Sequence, residues 1–135
     1  MIEQWAEVKN AWNVAFINAC NAVYLNDRIR PWPHGLTRMM RNRYNSQAEL
    51  RHAMAKDWEP EALLYMNHRE DTGTRKAIKP MFRGKKWATV PDRRADYPDY
   101  LREIGRHSFV LCPSGNGIDS ARNWETLYMG RIPIF

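Results

Sequence analysis

Apolar and polar positions follow a regular alternation over the second half of this chain, and a looser one over the first. Ala62 to Met66 is a short apolar run that ends at Asn67, which reads as a strand opening into a polar loop. Thr72 or Thr74 can cap a helix that should end near Pro80. Trp87 to Val90 is a weaker strand candidate. Asp96 can cap the next helix with Pro98 in its first turn, and Tyr97, Tyr100, Leu101 and Ile104 then share one apolar face. Phe109 to Cys112 reads as a strand and Pro113 to Ile118 as a loop. Asp119 or Ser120 caps a further helix, with Trp124, Leu127 and Tyr128 as its expected core face and Gly130 just beyond its end. Ile132 to Phe135 starts another strand. Strands alternating with helices at this spacing predict an α/β fold, a Rossmann-like parallel sheet with flanking helices. In such sheets ligands bind beyond the C-terminal ends of the strands, which puts Asn67 to Thr74 and Pro113 to Asp119 on the functional edge.

The first 60 residues are less regular and read as an N-terminal helical or linker portion of a single domain over residues 1–135. Trp5, Val8, Trp12, Ala15 and Phe16 follow a helical period, while Val14 to Ile17 and Ala22 to Leu25 fit short strands equally well. Pro31-Trp32-Pro33-His34-Gly35 predicts a rigid, turn-rich loop. Asn45 to Lys56 predicts a polar helix, with Ser46 as N-cap and Glu49 completing a capping box.

Composition narrows the classes. With 135 residues, 44% of them hydrophobic, the chain can bury a modest core. No run of about 18 apolar residues exists, so no membrane span is expected. The first residues lack the basic and apolar regions of a signal peptide. Cys20 and Cys112 make neither a disulfide framework nor a metal spacing, and the expectation is free thiols in a reducing, cytoplasmic compartment. The net charge of +6 favours phosphate-bearing partners. Arg38, Arg41, Arg43 and Tyr44, together with six tryptophans, would suit a single-stranded nucleic acid. Trp5, Trp12 and Trp124 fall on core-like helical faces, however, and no nucleic-acid motif is present, so no nucleic-acid partner is expected.

The segment Pro113-Ser-Gly-Asn-Gly-Ile-Asp-Ser-Ala-Arg carries the candidate chemistry. Gly115 and Gly117 let backbone amides approach a ligand, with Ser114 and Asn116 beside them, and the following helix start offers unpaired N–H groups and partial positive charge. Arg122 adds a forked donor matched to phosphate. A charge-assisted bond of that kind contributes roughly 1.5–3 kcal/mol against perhaps 0.3–1 for the dipole, so the arginine should dominate. A plain strand-to-helix turn explains the glycines equally well. Glu125, three residues on, could accept from a ribose diol or pair with Arg122, the pair being worth only about 0.2–0.5 kcal/mol. Asn67, Thr74 and Arg75 would face the same cleft, Arg75 as a second phosphate contact or a solvated charge beside Lys76 and Lys79. His34 and His68 are candidate polar contacts or bases. Asp119 fits a helix cap better than a catalytic group. There is no D-x-D pair and no His/Cys cluster, so no metal site is expected.

The whole segment from Phe109 to Ile134 resembles the donor-binding segment of exostosin-like glycosyltransferases. It shares their strand, P-x-G loop, R-x-x-E helix, small-residue turn and I-P-I strand. Weaker similarity covers Leu64 to His68, Thr72, Thr74 and Arg75, and the Trp32-Pro-His-Gly-Leu loop. The resemblance implies the C-terminal half of a GT-B enzyme holding a nucleoside diphosphate-sugar. Arg122 would lie by the diphosphate and Glu125 on the ribose, with no metal or other cofactor. The partners would be that donor, a glycan or other hydroxyl acceptor, and an acceptor domain or partner chain. The family continues past the position of Phe135 and carries a large N-terminal domain. Measured against it the sequence is an incomplete half, an isolated chain should lack acceptor residues, and its open sheet edge should favour association.

Overall fold

The computed structural model describes residues 17–19, 29–31, 33, 35–36, 46–70, 73–115 and 119–135. The chain divides into two compact units, residues 1–34 and 35–135. In the first, β1 (Ile17–Ala19) pairs in parallel with β2 (Ile29–Pro31), in register Ile17 to Ile29 and Ala19 to Pro31. Strand β1 starts at Ile17, where one strand alternative ended. Strand β2 was not foreseen, because Pro31 and Pro33 were read as loop; a proline at a strand end costs no ladder bond there. Trp5, Val8, Trp12, Cys20, His34, Arg38, Arg41, Arg43 and Tyr44 lie outside the described residues.

Among the described residues the second unit holds four helices and a parallel sheet. The elements are α1 (Ser46–Met54), β3 (Ala62–Tyr65), α2 (Gly73–Phe82), β4 (Ala88–Thr89), α3 (Tyr97–Gly105), β5 (His107–Leu111), α4 (Ala121–Tyr128) and β6 (Ile132–Ile134). The strand order is β4-β3-β5-β6, all parallel. This is the expected Rossmann-like α/β arrangement. Residues alternate across the sheet and feed a separate core on each face. Tyr65, Val110 and Cys112 join Leu50 and Ala53 of α1, Tyr100, Leu101 and Ile104 of α3, and Met129. Leu64, Met66 and Leu111 pack on the other face with Ile78 and Phe82 of α2. Among the described residues no helix is long and apolar enough to cross a membrane.

Most boundaries follow the local signals. Asp96 caps α3 by accepting from the Asp99 amide at 3.0 Å, with Pro98 in the first turn. Gly130 ends α4 at φ 68°, and its amide and that of Arg131 close back on the Leu127 and Thr126 carbonyls at 2.9 Å each, a Schellman closure. Four expectations need correction. Helix α1 starts on Ser46, one residue earlier than a Ser46 cap would put it. Helix α2 runs through Pro80 to Phe82, since a proline near a helix end forfeits only one bond. Strand β5 starts two residues before Phe109, because His107 is a core residue, its ring nitrogens meeting the Glu103 carbonyl and, at 2.7 Å, the Thr89 hydroxyl. The fourth concerns α4, whose buried residues are Asn123, Glu125 and Thr126, while Leu127 and Tyr128 are half exposed. Its inward face is polar because it meets the Tyr100 hydroxyl of α3 and the Cys112 thiol just past β5, and the indole of Trp124 is drawn to the carboxylate of Asp119.

Candidate functional site

Chain order makes a site at one place on the sheet edge. From β3 the chain leaves through α2 to β4 on one side; from β5 it leaves through α4 to β6 on the other. Strands β3 and β5 are neighbours, so the loops beyond them diverge. Such a switch point is where open parallel sheets bind ligands.

Two arginines from different helices meet at this switch point. Arg122, in the first turn of α4, donates from Nη2 to the Asn67 carbonyl at the end of β3, at 3.0 Å. Its Nε is buried without a hydrogen-bond partner. Arg75, in the first turn of α2, reaches the opposite way to the β5 loop, with Nε to the Ser114 carbonyl at 3.2 Å and Nη2 to the Pro113 carbonyl at 3.4 Å. The expected use of Gly115 changes here. Its backbone is not in the left-handed region, and what it provides is room: a side chain at 115 would overlap the Arg75 guanidinium. Asn116 and Gly117 lie outside the described residues. Ser114 is exposed and offers its carbonyl, and Thr74 lies in the first turn of α2. Asn67 is buried and splits its roles, its carbonyl to Arg122 and its side-chain amide to the Tyr65 hydroxyl at 2.7 Å.

Asp119 sits at the mouth of α4. It accepts from the Asn123 amide and the Trp124 indole, each at 3.0 Å, and Ser120 occupies the N-cap position without a capping bond from its side chain. Asp119 thus orders the helix start through side chains, where a direct cap was expected.

Glu125 is 7% exposed. Its carboxylate accepts from the buried Tyr100 hydroxyl at 2.9 Å, and the Tyr97 hydroxyl lies beside it without a bond of good geometry. Arg122 and Glu125 are not ion-paired, the arginine being turned to Asn67. Burial pushes the Glu125 carboxyl up from its usual range, against the pull of Tyr100, Arg122 and Arg94. The Tyr100 phenol is raised by burial and by that carboxylate, and the Tyr65 phenol is pushed up to about 12, mainly by burial. Both phenols stay neutral across the physiological range, Tyr100 donating to Glu125 and Tyr65 accepting from Asn67. The Cys112 thiol is buried and pushed up to about 11, so it stays a protonated packing group.

The arrangement brings together Arg122, Arg75, Asn67, Ser114, Gly115 and Asp119 along one edge, with Glu125 one turn below. Sequence reasoning missed the partners of Glu125 and Asn67, tyrosines that the periodicity assigned to the core alone. It also missed the depth of His68, which is 4% exposed. Among the described residues no group of three or more His, Cys, Asp or Glu side chains converges as a metal site would require. No protein-family model matches the chain, and no curated protein matches it.

Proposed function

We propose that this chain is the donor-binding portion of a glycosyltransferase, holding a nucleoside diphosphate-sugar over the ends of β3 and β5. The observation that carries the reading is the meeting of Arg75 and Arg122, from two helices, at the topological switch point of a parallel sheet. Two guanidinium groups beside a helix start form a clamp for a diphosphate. The resemblance of Phe109 to Ile134 to exostosin-like enzymes supports the same ligand class.

In the transfer, the acceptor oxygen bonds to the anomeric carbon while the bond from that carbon to the diphosphate oxygen breaks, and the acceptor proton leaves to a general base. The diphosphate departs with the bonding electrons. Fixed cations beside it stabilise the developing charge, the largest usual catalytic contribution. Glu125 holds the ribose diol in this reading, and Tyr100 fixes the carboxylate's orientation. A second reading is a nucleotide or phosphosugar binder without transfer; Glu125, bonded to Tyr100 and nearly closed off from solvent, favours its phosphosugar form, which needs no ribose contact.

Calorimetric titration with UDP, GDP and their sugars tests the pocket. The expected result is binding by the intact chain, weakened in Arg122→Ala and in Glu125→Ala. If no nucleotide binds, or both variants bind as well as the intact chain, the reading is wrong. Transfer to an acceptor, assayed with the donor that binds, separates the two readings.

A further inference from the structure

The arginine clamp leaves two buried polar atoms at the end of β3 unexplained. Nδ1 of His68 and Nε of Arg122 are both buried and without hydrogen-bond partners. Native proteins leave few such atoms, and each calls for a missing partner. The other ring nitrogen of His68, Nε2, faces the Arg75 carbonyl at 3.5 Å. A carbonyl can only accept, which assigns the hydrogen to Nε2 and leaves a neutral ring with a bare, buried lone pair at Nδ1. The groups around it are mostly cations: Arg75 and Lys79 from α2 and Arg122 from α4, with Glu70 from the preceding loop bound to Lys79 at 2.7 Å. Burial, then these charges, hold the imidazole below its ordinary pKa.

An anion at the end of β3 would satisfy both atoms. An anion accepts from Arg122 Nε–H, and it accepts from Nδ1 once that nitrogen gains a proton. We infer that His68 and Arg122 form a proton-coupled subsite for a phosphate group, His68 taking up one proton from solvent at Nδ1 as the anion binds. Nε2–H stays on the Arg75 carbonyl throughout, so the ring keeps its orientation while its charge changes. The inference rests on the reading of this edge as a phosphate site. It adds a residue to that site and a linkage: affinity rises as pH falls toward the histidine range.

Sulfate is the probe, being a tetrahedral dianion that does not titrate near neutrality. Its binding to the full chain is measured by calorimetry at pH 7 in two buffers of different ionisation enthalpy, and again at pH 6 and 8. The expected result is net proton uptake, up to one per sulfate, and an affinity that increases by up to about tenfold per pH unit on acidification. His68→Gln should abolish both effects while the arginines still hold the ion. The buffer comparison needs no variant, so misfolding of His68→Gln would not hide the answer. A parallel titration with UDP separates the two levels. If UDP and sulfate bind without proton uptake and with a flat pH profile, the donor site stands and the role of His68 is overturned. If the uptake survives in a folded His68→Gln, the proton goes elsewhere and the role is again overturned. If neither ligand binds, both readings fall, and a bridging water is the partner of the two buried atoms.

Discussion

Arg122 and Glu125 stand three residues apart on α4 and meet opposite surroundings. The arginine reaches across the sheet edge with one nitrogen bonded and another unmatched. A charged hydrogen bond to phosphate is worth roughly 1.5–3 kcal/mol, so Arg122→Ala should weaken nucleoside diphosphate binding by about 10- to 150-fold in calorimetry. Glu125 is buried and its carboxyl is raised mainly by desolvation. The folded state therefore keeps the proton to a higher pH than the unfolded chain does. That contribution to stability is complete below the unfolded value of 4.5 and is lost as pH rises through the raised folded value. Glu125→Gln removes the buried charge while still accepting from Tyr100. It should raise the thermal midpoint by a few degrees at pH 7, with the gain fading toward pH 4, as followed by circular dichroism. The same change should weaken nucleotide binding, a trade of function against stability often found where a site carries buried charge.

At the scale of elements, α4 and the region around α3 show how packing partners decide a face. Leu127 is 51% exposed, although its spacing from Trp124 and Tyr128 suggested a core stripe. Leu127→Glu should thus change stability by no more than about 0.5 kcal/mol in urea denaturation, as surface substitutions do. Gly105 on α3 behaves in the opposite way. It is buried against the Trp58 indole, which is fixed by its own bond to the Ala53 carbonyl at 2.7 Å. Arg131 ties the same corner, donating from Nε to the Gly105 carbonyl at 3.0 Å and from Nη2 to the Trp58 carbonyl. A methyl at 105 would overlap a ring that cannot yield. Gly105→Ala should cost about 1–3 kcal/mol in the same measurement, even though alanine is the better helix former.

At the scale of the molecule, β6 is the last strand in the sheet order, and an edge strand favours strand addition. Ile132, Ile134 and Phe135 are exposed there. The Cys112 amide donates to the Ile134 carbonyl at 2.7 Å, so residues 132 and 134 turn their backbone groups to β5 and residue 133 turns outward. That residue is proline, which leaves the outward edge of β6 without its N–H and hinders strand addition. Pro133→Val restores the donor and should increase concentration-dependent self-association in sedimentation velocity relative to the unaltered chain.

The order of strands and helices from Ala62 onward was legible in the sequence because local rules govern it. Apolar runs, the Asp96 cap and the Gly130 closure each act within a few residues, and each is found where the pattern put it. The parallel sheet followed from the alternation of those elements. That a glycine-bearing loop would lead into a helix with Arg122 in its first turn was legible for the same local reason. What periodicity could not supply was any fact that depends on residues distant in the chain. The inward face of α4 is polar because Tyr100, 25 positions away, supplies a hydroxyl to Glu125. His107 is a strand residue because Thr89, 18 positions away, receives its ring. Arg75 meets the β5 loop 39 positions on, and Gly115 is needed for that approach alone. Burying a polar group is costly unless a partner waits for it. Hydrophobic spacing records only the apolar side of that balance. The partners come from the strand order β4-β3-β5-β6, and so only the tertiary structure decided which polar residues turn inward and which arginines share an edge.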